Sequence, residues 1–142
     1  MTQRYMLDTN IVSHIMQGRD AALLARLSQL PMGQAVMSSV TLAELEYGLH
    51  RKGQPARLKN ALHQVLLRVD VLPWNELVAR CYGRVCFALE AQGINLSDLD
   101  MMIAAHSIAA DATLVSRDKA FQTVASINPD QLLPDSFKLE VW

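Results

Sequence analysis

The sequence lacks the cysteines that a disulfide-stabilised or zinc-stabilised protein would need. Its 142 residues include only two, Cys81 and Cys86, five positions apart in one segment with helical spacing. At that separation the two side chains point to different faces of the predicted helix. A structural zinc site would need further soft ligands nearby, and the surrounding sequence offers none. We therefore expect two free thiols in or near the core.

Long apolar runs are also missing. The longest, such as "MMIAA" and "VLLRV", are far shorter than the roughly 20 residues that a membrane-spanning helix needs. The N-terminus lacks the charged and then apolar layout of a signal peptide. These absences predict a protein of the cytoplasm that does not enter a membrane.

Neither sign of charge dominates the composition. The formal net charge is −1 and the sequence pI is about 6.4, so the composition gives no global signature of nucleic-acid binding. One turn gathers Arg51, Lys52, Arg57 and Lys59. We interpret this patch as a solvated connection between helices, and a local nucleic-acid contact stays open as the alternative.

The length and the apolar content fit one domain over residues 1–142. Hydrophobic residues make up 51% of the chain and charged residues 19%. This balance supports a sizeable packed core and argues against disorder. A chain of this length rarely divides into two independent cores.

Short apolar segments alternate with amphipathic ones along the chain. The predicted strands are "RYMLD", "QAVMSS", "VDVLP", "ATLVS" and the terminal "FKLEVW". Helices are predicted between them, with Ser39 as N-cap of the helix after the second strand, and with Ser97 or Asp98 as the capping signal before "MMIAAHS". The alternation predicts an α/β fold, a three-layer α/β/α sandwich with a mainly parallel central sheet. The spacing leaves the strand order open.

Acidic residues follow the predicted strands or open the helices after them. Asp8 ends the first strand, Glu44 lies early in the next long helix, Asp98 and Asp100 lie in a first helical turn, and Asp118 follows "ATLVS". Taken singly, most have a structural explanation, since acids stabilise helix N-termini by about 0.3–1 kcal/mol and Asp118 suits a turn. Asp8 is harder to explain, because a carboxylate that closes a buried strand costs desolvation free energy unless it is paired.

Together these acids predict a cation site. The carboxyl ends of parallel strands form the ligand-binding edge of such a sheet, and carboxylates gathered there repel one another. No Lys or Arg stands at the ends of the first two predicted strands to neutralise them. Oxygen ligands favour a hard divalent ion, Mg²⁺ or Mn²⁺, and such ions commonly activate water against phosphate esters.

Five motifs in the chain resemble those of the PIN-domain ribonucleases of the VapC toxin type. They are "MLDTNI", "SSVTLAELEYG", "DMMIAAHS", "LVSRDKAF" and "LEVW", and they extend in this order over nearly the whole chain. Each motif is short, and the ordered set carries the resemblance.

The resemblance implies a set of site residues. The family's metal-binding acids match Asp8, Glu44, Asp100 and Asp118, and the spacing to the Ile-Ala-Ala segment selects Asp100 over Asp98. Three polar residues match positions that orient the ligands or a water molecule: Thr9, Asn10 and Ser116.

The resemblance also implies an activity and partners. The implied reaction is hydrolysis of an RNA phosphodiester bond by water, with one or two Mg²⁺ or Mn²⁺ ions. Among relatives of this kind, the implied substrate is tRNA, with the anticodon stem-loop of initiator tRNA favoured. The implied partners are a second copy of the chain, which gives a homodimer, and a small VapB-like antitoxin whose tail lies across the toxin and often places a basic residue in the acidic pocket.

Two other interpretations stay open. A receiver-like signalling domain also holds Mg²⁺ between acids at this edge, although two of the present acids lie inside helices rather than at strand ends. A catalytically silent interaction module with the same fold would also keep the acids. His106 follows the third motif and is interpreted as a packed or capping residue rather than a substrate contact, as are His14, His50 and His63.

Overall fold

The computed structural model describes residues 3–125 and 137–142 and contains a five-stranded parallel sheet. The strands lie in the order β3-β2-β1-β4-β5, and all four pairings are parallel. In chain order they are β1 (Tyr5–Leu7), β2 (Ala35–Ser38), β3 (Asp70–Leu72), β4 (Thr113–Val115) and β5 (Leu139–Glu140). The predicted α/β class is confirmed, and the sheet is wholly parallel within the described residues.

Seven helices lie between the strands in the described part of the chain. They are α1 (Thr9–Gln17), α2 (Ala21–Gln29), α3 (Ser39–Arg51), α4 (Ala56–Arg68), α5 (Glu76–Ala91), α6 (Asp98–Ala109) and α7 (Lys119–Ala125). Each β-strand is short. β2 leads directly into α3 and one residue separates β1 from α1, whereas three residues separate β3 from α5 and β4 from α7.

Successive side chains of β1 point to opposite faces of the sheet and pack into two different apolar clusters. Leu7 packs into a cluster formed mainly with α1, α2 and α4, whereas Met6 packs with residues of α6, β4 and α7. Both side chains are fully buried, and each such burial contributes about 1.5–3 kcal/mol. A third cluster joins α5 to α6. Apolar packing thus holds helices on both faces of the sheet.

Side-chain caps start most of the helices. Asp8, Asp20, Ser38, Asn75 and Ser97 each accept a backbone N–H in the first turn of α1, α2, α3, α5 and α6, respectively. The prediction of Ser39 as the cap of α3 is wrong, because β2 continues to Ser38 and the helix begins at Ser39. The hydroxyl of Ser39 instead accepts a 3.0 Å hydrogen bond from the backbone N–H of Trp74.

The C-terminal residues anchor the far edge of the sheet. β5 pairs with β4, and the ring of Trp142 lies 5.6 Å from that of Tyr5. The carbonyl of Trp142 accepts a 2.7 Å hydrogen bond from Nε of Arg117. Another nitrogen of the same guanidinium, Nη2, donates to Oδ2 of Asp20 at 2.7 Å. These contacts fix Arg117 immediately after β4 and direct its charge toward Asp20.

Cys81 and Cys86 are not joined in a disulfide, as expected, and Cys81 is buried whereas Cys86 is half-buried. The side chains of His14, His50 and His63 are exposed, so the packed form of the prediction is wrong for them. His14 and His50 lie in the last turns of α1 and α3, which agrees with the capping form. Over the described ranges, none of the helices has the length and apolar character needed to cross a bilayer.

His106 differs from the other histidines because it is buried, with 2% of its surface exposed. Its Nδ1 lies 2.7 Å from the hydroxyl of Ser38 at the end of β2. Burial, together with the positive charge of Arg4, lowers the pKa of His106 to about 4. The ring is therefore neutral in the folded protein at ordinary pH.

We predict that this histidine makes the fold sensitive to acid. The ordinary pKa of histidine is 6.5, and that of His106 in the folded chain is about 4. As the pH falls from 6.5 to 4, this histidine is protonated in the unfolded chain but stays neutral in the folded chain, so the free energy of unfolding falls. Urea unfolding of His106→Leu should show a flatter pH dependence in this range. His63→Leu, at an exposed position, is the matched control. Parallel losses in wild type and His106→Leu would contradict the prediction.

Candidate active site

Asp8 lies where β1 ends and α1 begins, and only 4% of its surface is exposed. Its Oδ1 accepts a 2.8 Å hydrogen bond from the N–H of Ile11, and its own N–H donates to the carbonyl of Val115 at 3.1 Å. The carboxylate is thus held by the cap of α1 on one side and by β4 on the other. A buried acid in this position satisfies a helix N-terminus but has no ion-pair partner among the described residues.

Ser116 connects Asp8 to Asp118. The residue follows β4 and is fully buried, its hydroxyl is hydrogen-bonded to the Asp8 carboxylate, and the same oxygen accepts the N–H of Asp118 at 3.0 Å. Oδ1 of Asp118 in turn accepts the N–H of Ala120 at 2.9 Å at the start of α7. The pairing of Leu7 with Val115 places these two strand ends side by side.

Asp100 occupies the first turn of α6. Its N–H donates to the hydroxyl of Ser97 at 3.2 Å, and that hydroxyl is also bonded to the Asp100 carboxylate. The Ser97 hydroxyl therefore both caps α6 and holds the Asp100 carboxylate. Asp98 is exposed, and its charge acts on Tyr82. A hydrogen bond with Cys86 and burial raise the pKa of Tyr82 to about 12, and the charge of Asp98 adds to this rise.

Three of the predicted acids interact electrostatically. Burial raises the pKa of Asp8 above its usual value, opposed by the bonds from Ser116 and Ile11, and the charges of Asp100 and Asp118 raise it further. Burial also raises the pKa of Asp100, opposed by the bond from Ser97 and reinforced by the charge of Asp118. The charged groups that act on Asp8 and Asp100 are therefore all carboxylates.

Glu44 joins this group through Thr9 rather than by direct repulsion. The Thr9 hydroxyl donates a 2.7 Å hydrogen bond to Oε1 of Glu44 and lies 3.4 Å from the hydroxyl of Thr41. Since Thr9 follows Asp8 in the chain, this bond brings the side of α3 against the start of α1. Asn10 is exposed in the first turn of α1 and makes no side-chain hydrogen bond within the described residues.

The donor set fits a hard cation that keeps part of its water shell. No three His, Cys, Asp or Glu side chains in the described residues are arranged as a closed metal-binding group. Asp8, Asp100 and Asp118 nevertheless supply only carboxylate oxygens, and the repulsion that helps to raise the pKa of Asp8 and Asp100 falls if a positive charge lies between them. Mg²⁺ commonly binds through one or two carboxylates plus several waters. The residues present are therefore compatible with such an ion.

An open groove adjoins Glu44, and sequence reasoning did not identify it. It has a volume of about 600 Å³ and is lined by residues of α3 and α6 together with Thr9. On its wall, Tyr47 is 65% exposed, and the guanidinium of Arg51 lies 5.9 Å from the ring centroid. The spacing of Glu44, Tyr47 and Arg51 along one helix face was the available signal. The groove therefore adjoins the site at Glu44 and Thr9.

Comparison with known proteins assigns the family. The PIN domain family model matches residues 5–127. Ribonuclease VapC1 of Haemophilus influenzae (strain R2866) is 34% identical over 125 residues, which cover 87% of this chain and 93% of the relative. The tRNA(fMet)-specific endonuclease VapC of Shigella flexneri is 30% identical over 128 residues, which cover 89% of this chain and 96% of the relative.

A solved structure agrees with this assignment. The fold matches the crystal structure of VapBC2 from Rickettsia felis bound to a DNA fragment from its promoter, with a TM-score of 0.84 and 28% identity over 99% of each chain. The family match argues against the receiver-like alternative, whereas the roles of the individual acids stay predictions. By the extent of the family match and the identity to its VapC ribonucleases, this chain belongs to the PIN-domain family.

Proposed function

We propose that this chain is a metal-dependent endoribonuclease, the toxin component of a type II toxin-antitoxin system, which hydrolyses tRNA in the cytoplasm. The observation that carries the proposal is the group of carboxylates at the carboxyl edge of the sheet, where the charges of Asp100 and Asp118 raise the pKa of Asp8 and no basic partner lies among the described residues. The relatives named as ribonucleases support the reaction class.

Asp8, Asp100, Asp118 and Glu44 would hold Mg²⁺ or Mn²⁺. Such an ion, when bound, polarises a phosphoryl oxygen and lowers the pKa of bound water. The chain's own residues orient the acids. Ser116 fixes the Asp8 carboxylate and the backbone of Asp118, and Thr9 fixes Glu44. Water is the nucleophile in this proposal, so the protein supplies position and charge rather than a covalent intermediate.

The substitutions Asp8→Asn and Asp100→Asn should each lower RNA cleavage by more than about 100-fold, because loss of a residue that only orients a ligand already costs about 10–100-fold. Asn at position 8 can still accept the N–H of Ile11 and cap α1. The variants should therefore unfold at the wild-type temperature or above it in EDTA. Cleavage of purified tRNA with Mn²⁺ and thermal unfolding measure the two effects.

Asp98→Asn is the matched control for Asp100→Asn, since it removes an exposed acid from the same helical turn. It should cleave at the wild-type rate. Chelation of divalent ions should abolish cleavage by wild type, and added Mg²⁺ or Mn²⁺ should restore it. If Asp98→Asn were inactive and Asp100→Asn active, the assignment of the third ligand would be wrong.

We propose initiator tRNA as the target, cut in the anticodon stem-loop. The Shigella flexneri relative is named a tRNA(fMet)-specific endonuclease, and unpaired loop bases are the part of an RNA that proteins read most readily. The basic turn after α3 and the groove beside Glu44 give the stem-loop a surface next to the acids.

Sequencing of RNA 5′ ends after brief expression should show one dominant new end, in the anticodon loop of initiator tRNA. Expression of Asp8→Asn gives the background. Dominant ends in messenger RNA or elongator tRNAs would refute the target and leave the nuclease proposal intact. A pure protein that binds its partner but leaves every structured RNA intact with Mn²⁺ would instead favour the catalytically silent alternative.

We also propose that the chain forms a homodimer and binds a small VapB-like antitoxin. Large apolar side chains are exposed on several helices, including Leu67 on α4 and Phe87 on α5, at 61% and 76%. Exposed apolar surface of this kind commonly marks protein contacts. A basic side chain of an antitoxin tail would neutralise the acids. The Rickettsia felis structure of VapBC2 supports the pairing.

The isolated protein at micromolar concentration should have a mass in solution of twice the 15.8 kDa of one chain. Light scattering coupled to size exclusion measures it. Phe87→Ser and Leu67→Ser test two separate apolar surfaces, and the surface that forms the dimer should yield a monomer when substituted. A monomeric wild type would refute the homodimer.

A further inference from the structure

Two adjacent serines connect the start of α3 to α6. The Ser38 hydroxyl accepts the N–H of Val40 at 3.1 Å and lies 2.7 Å from Nδ1 of His106. Ser38 is fully buried, and His106 is almost so. Because Ser38 accepts the Val40 N–H, its own proton is available for the neutral His106 ring. The contact is thus a satisfied pair of buried polar groups.

The second serine reaches α6 through Trp74. The Ser39 hydroxyl accepts the backbone N–H of Trp74 at 3.0 Å, and the indole Nε1–H of Trp74 donates to the carbonyl of Met102 at 3.1 Å. Ser38 therefore contacts α6 directly near its C-terminal end, and Ser39 contacts it indirectly one turn earlier.

These contacts join the two helices that carry Glu44 and Asp100. Apolar packing places most of each helix elsewhere: Leu45 and Leu49 of α3 pack with α1 and α4, whereas Ala105 and Ile108 of α6 pack with α5. Only the first turn of α3, at Val40, shares an apolar cluster with α6. Apolar contacts alone therefore constrain the offset between the two helices weakly, and directional hydrogen bonds constrain it more strongly.

His106 does not act on the acids directly. The residue lines a cavity of about 180 Å³ with Leu72 and Asn75, and none of the predicted acids lines that cavity. Neither Asp8 nor Asp100 has its pKa shifted by His106. Any effect of this histidine on the site must therefore pass through the positions of the helices.

We infer that His106 and Ser38 are positioning residues that hold the helix of Glu44 in register with the helix of Asp100. The consequence for catalysis rests on the proposed function, but the positioning itself does not. Displacements of about 0.5 Å are enough to disturb a catalytic constellation. A loss of this contact should therefore lower turnover more than it weakens RNA binding.

The test compares His106→Leu, which removes the polar atoms, with His106→Asn, whose side-chain amide can take the place of Nδ1. Ser38→Ala removes the other partner. Asn75→Ala is the control, because it removes a comparable helix cap, on α5, which carries none of the acids. Each variant is assayed for thermal unfolding, for kcat and KM on tRNA, and for the Mn²⁺ concentration that gives half of its thermal stabilisation.

We expect His106→Leu and Ser38→Ala to lower kcat by about tenfold or more and to need more Mn²⁺, with KM nearly unchanged. His106→Asn should recover most of the loss. Asn75→Ala should lose stability while it keeps the wild-type kcat. An equal fall in kcat for Asn75→Ala, or a wild-type kcat for His106→Leu, would overturn the inference. If His106→Leu does not fold, Ser38→Ala decides the matter.

Crystal structures of wild type and His106→Leu without metal or RNA give an independent readout. The separation of the α-carbons of Glu44 and Asp100 should change by about 0.5 Å or more. An unchanged separation would overturn the inference. If wild type neither binds Mn²⁺ nor cleaves RNA, the proposed function fails, and this separation still decides the positioning role.

Discussion

Burial of the Asp8 carboxylate at the end of β1 is the constraint on which the site depends. The group is almost fully desolvated and faces two other carboxylates, so its ionised form is destabilised in the folded chain. The hydrogen bonds from Ile11 and Ser116 offset only part of this penalty, since its pKa stays raised. A position that is unfavourable for an anion alone becomes favourable once a cation shares it, and this difference would drive the proposed metal binding.

The strand order brings other polar residues next to the buried Asp8 carboxylate. β1 lies between β2 and β4, so the residues that end these three strands are neighbours at one edge. They are Asp8, Ser38 and Ser116, all buried and polar. Asp8 and Ser38 cap helices, and Ser116 holds the turn before α7. Buried polar groups of this kind must be hydrogen-bonded, and here the bonds also fix where the following acids lie.

The sequence predicted the elements and the edge of the sheet, but not the contacts across it. Apolar alternation and capping signals were sufficient for the strands and helices, because these depend on neighbours in the chain. Nothing local distinguishes Ser38 from Ser39 as the cap, since the last strand pairing decides it. Likewise, the bond from Thr9 to Glu44 depends on how α3 packs against α1. The groove wall with Tyr47 depends on the gap between α3 and α6, which only the tertiary packing sets.

The two kinds of interaction at this edge have opposite effects on stability. Repulsion among the acids destabilises the folded chain, whereas the serine and threonine hydroxyls stabilise the orientation in which the acids meet. If the hydroxyls were absent, Asp100 and Asp118 could reduce their repulsion by turning toward solvent, and Glu44 would lose the hydrogen bond that ties it to the start of α1. The neutral His106 ring hydrogen-bonds to Ser38, so it helps to hold the start of α3 without adding charge to the site. The fold therefore keeps uncompensated negative charge in place by hydrogen bonds to neutral groups, which leaves the charge available to a ligand.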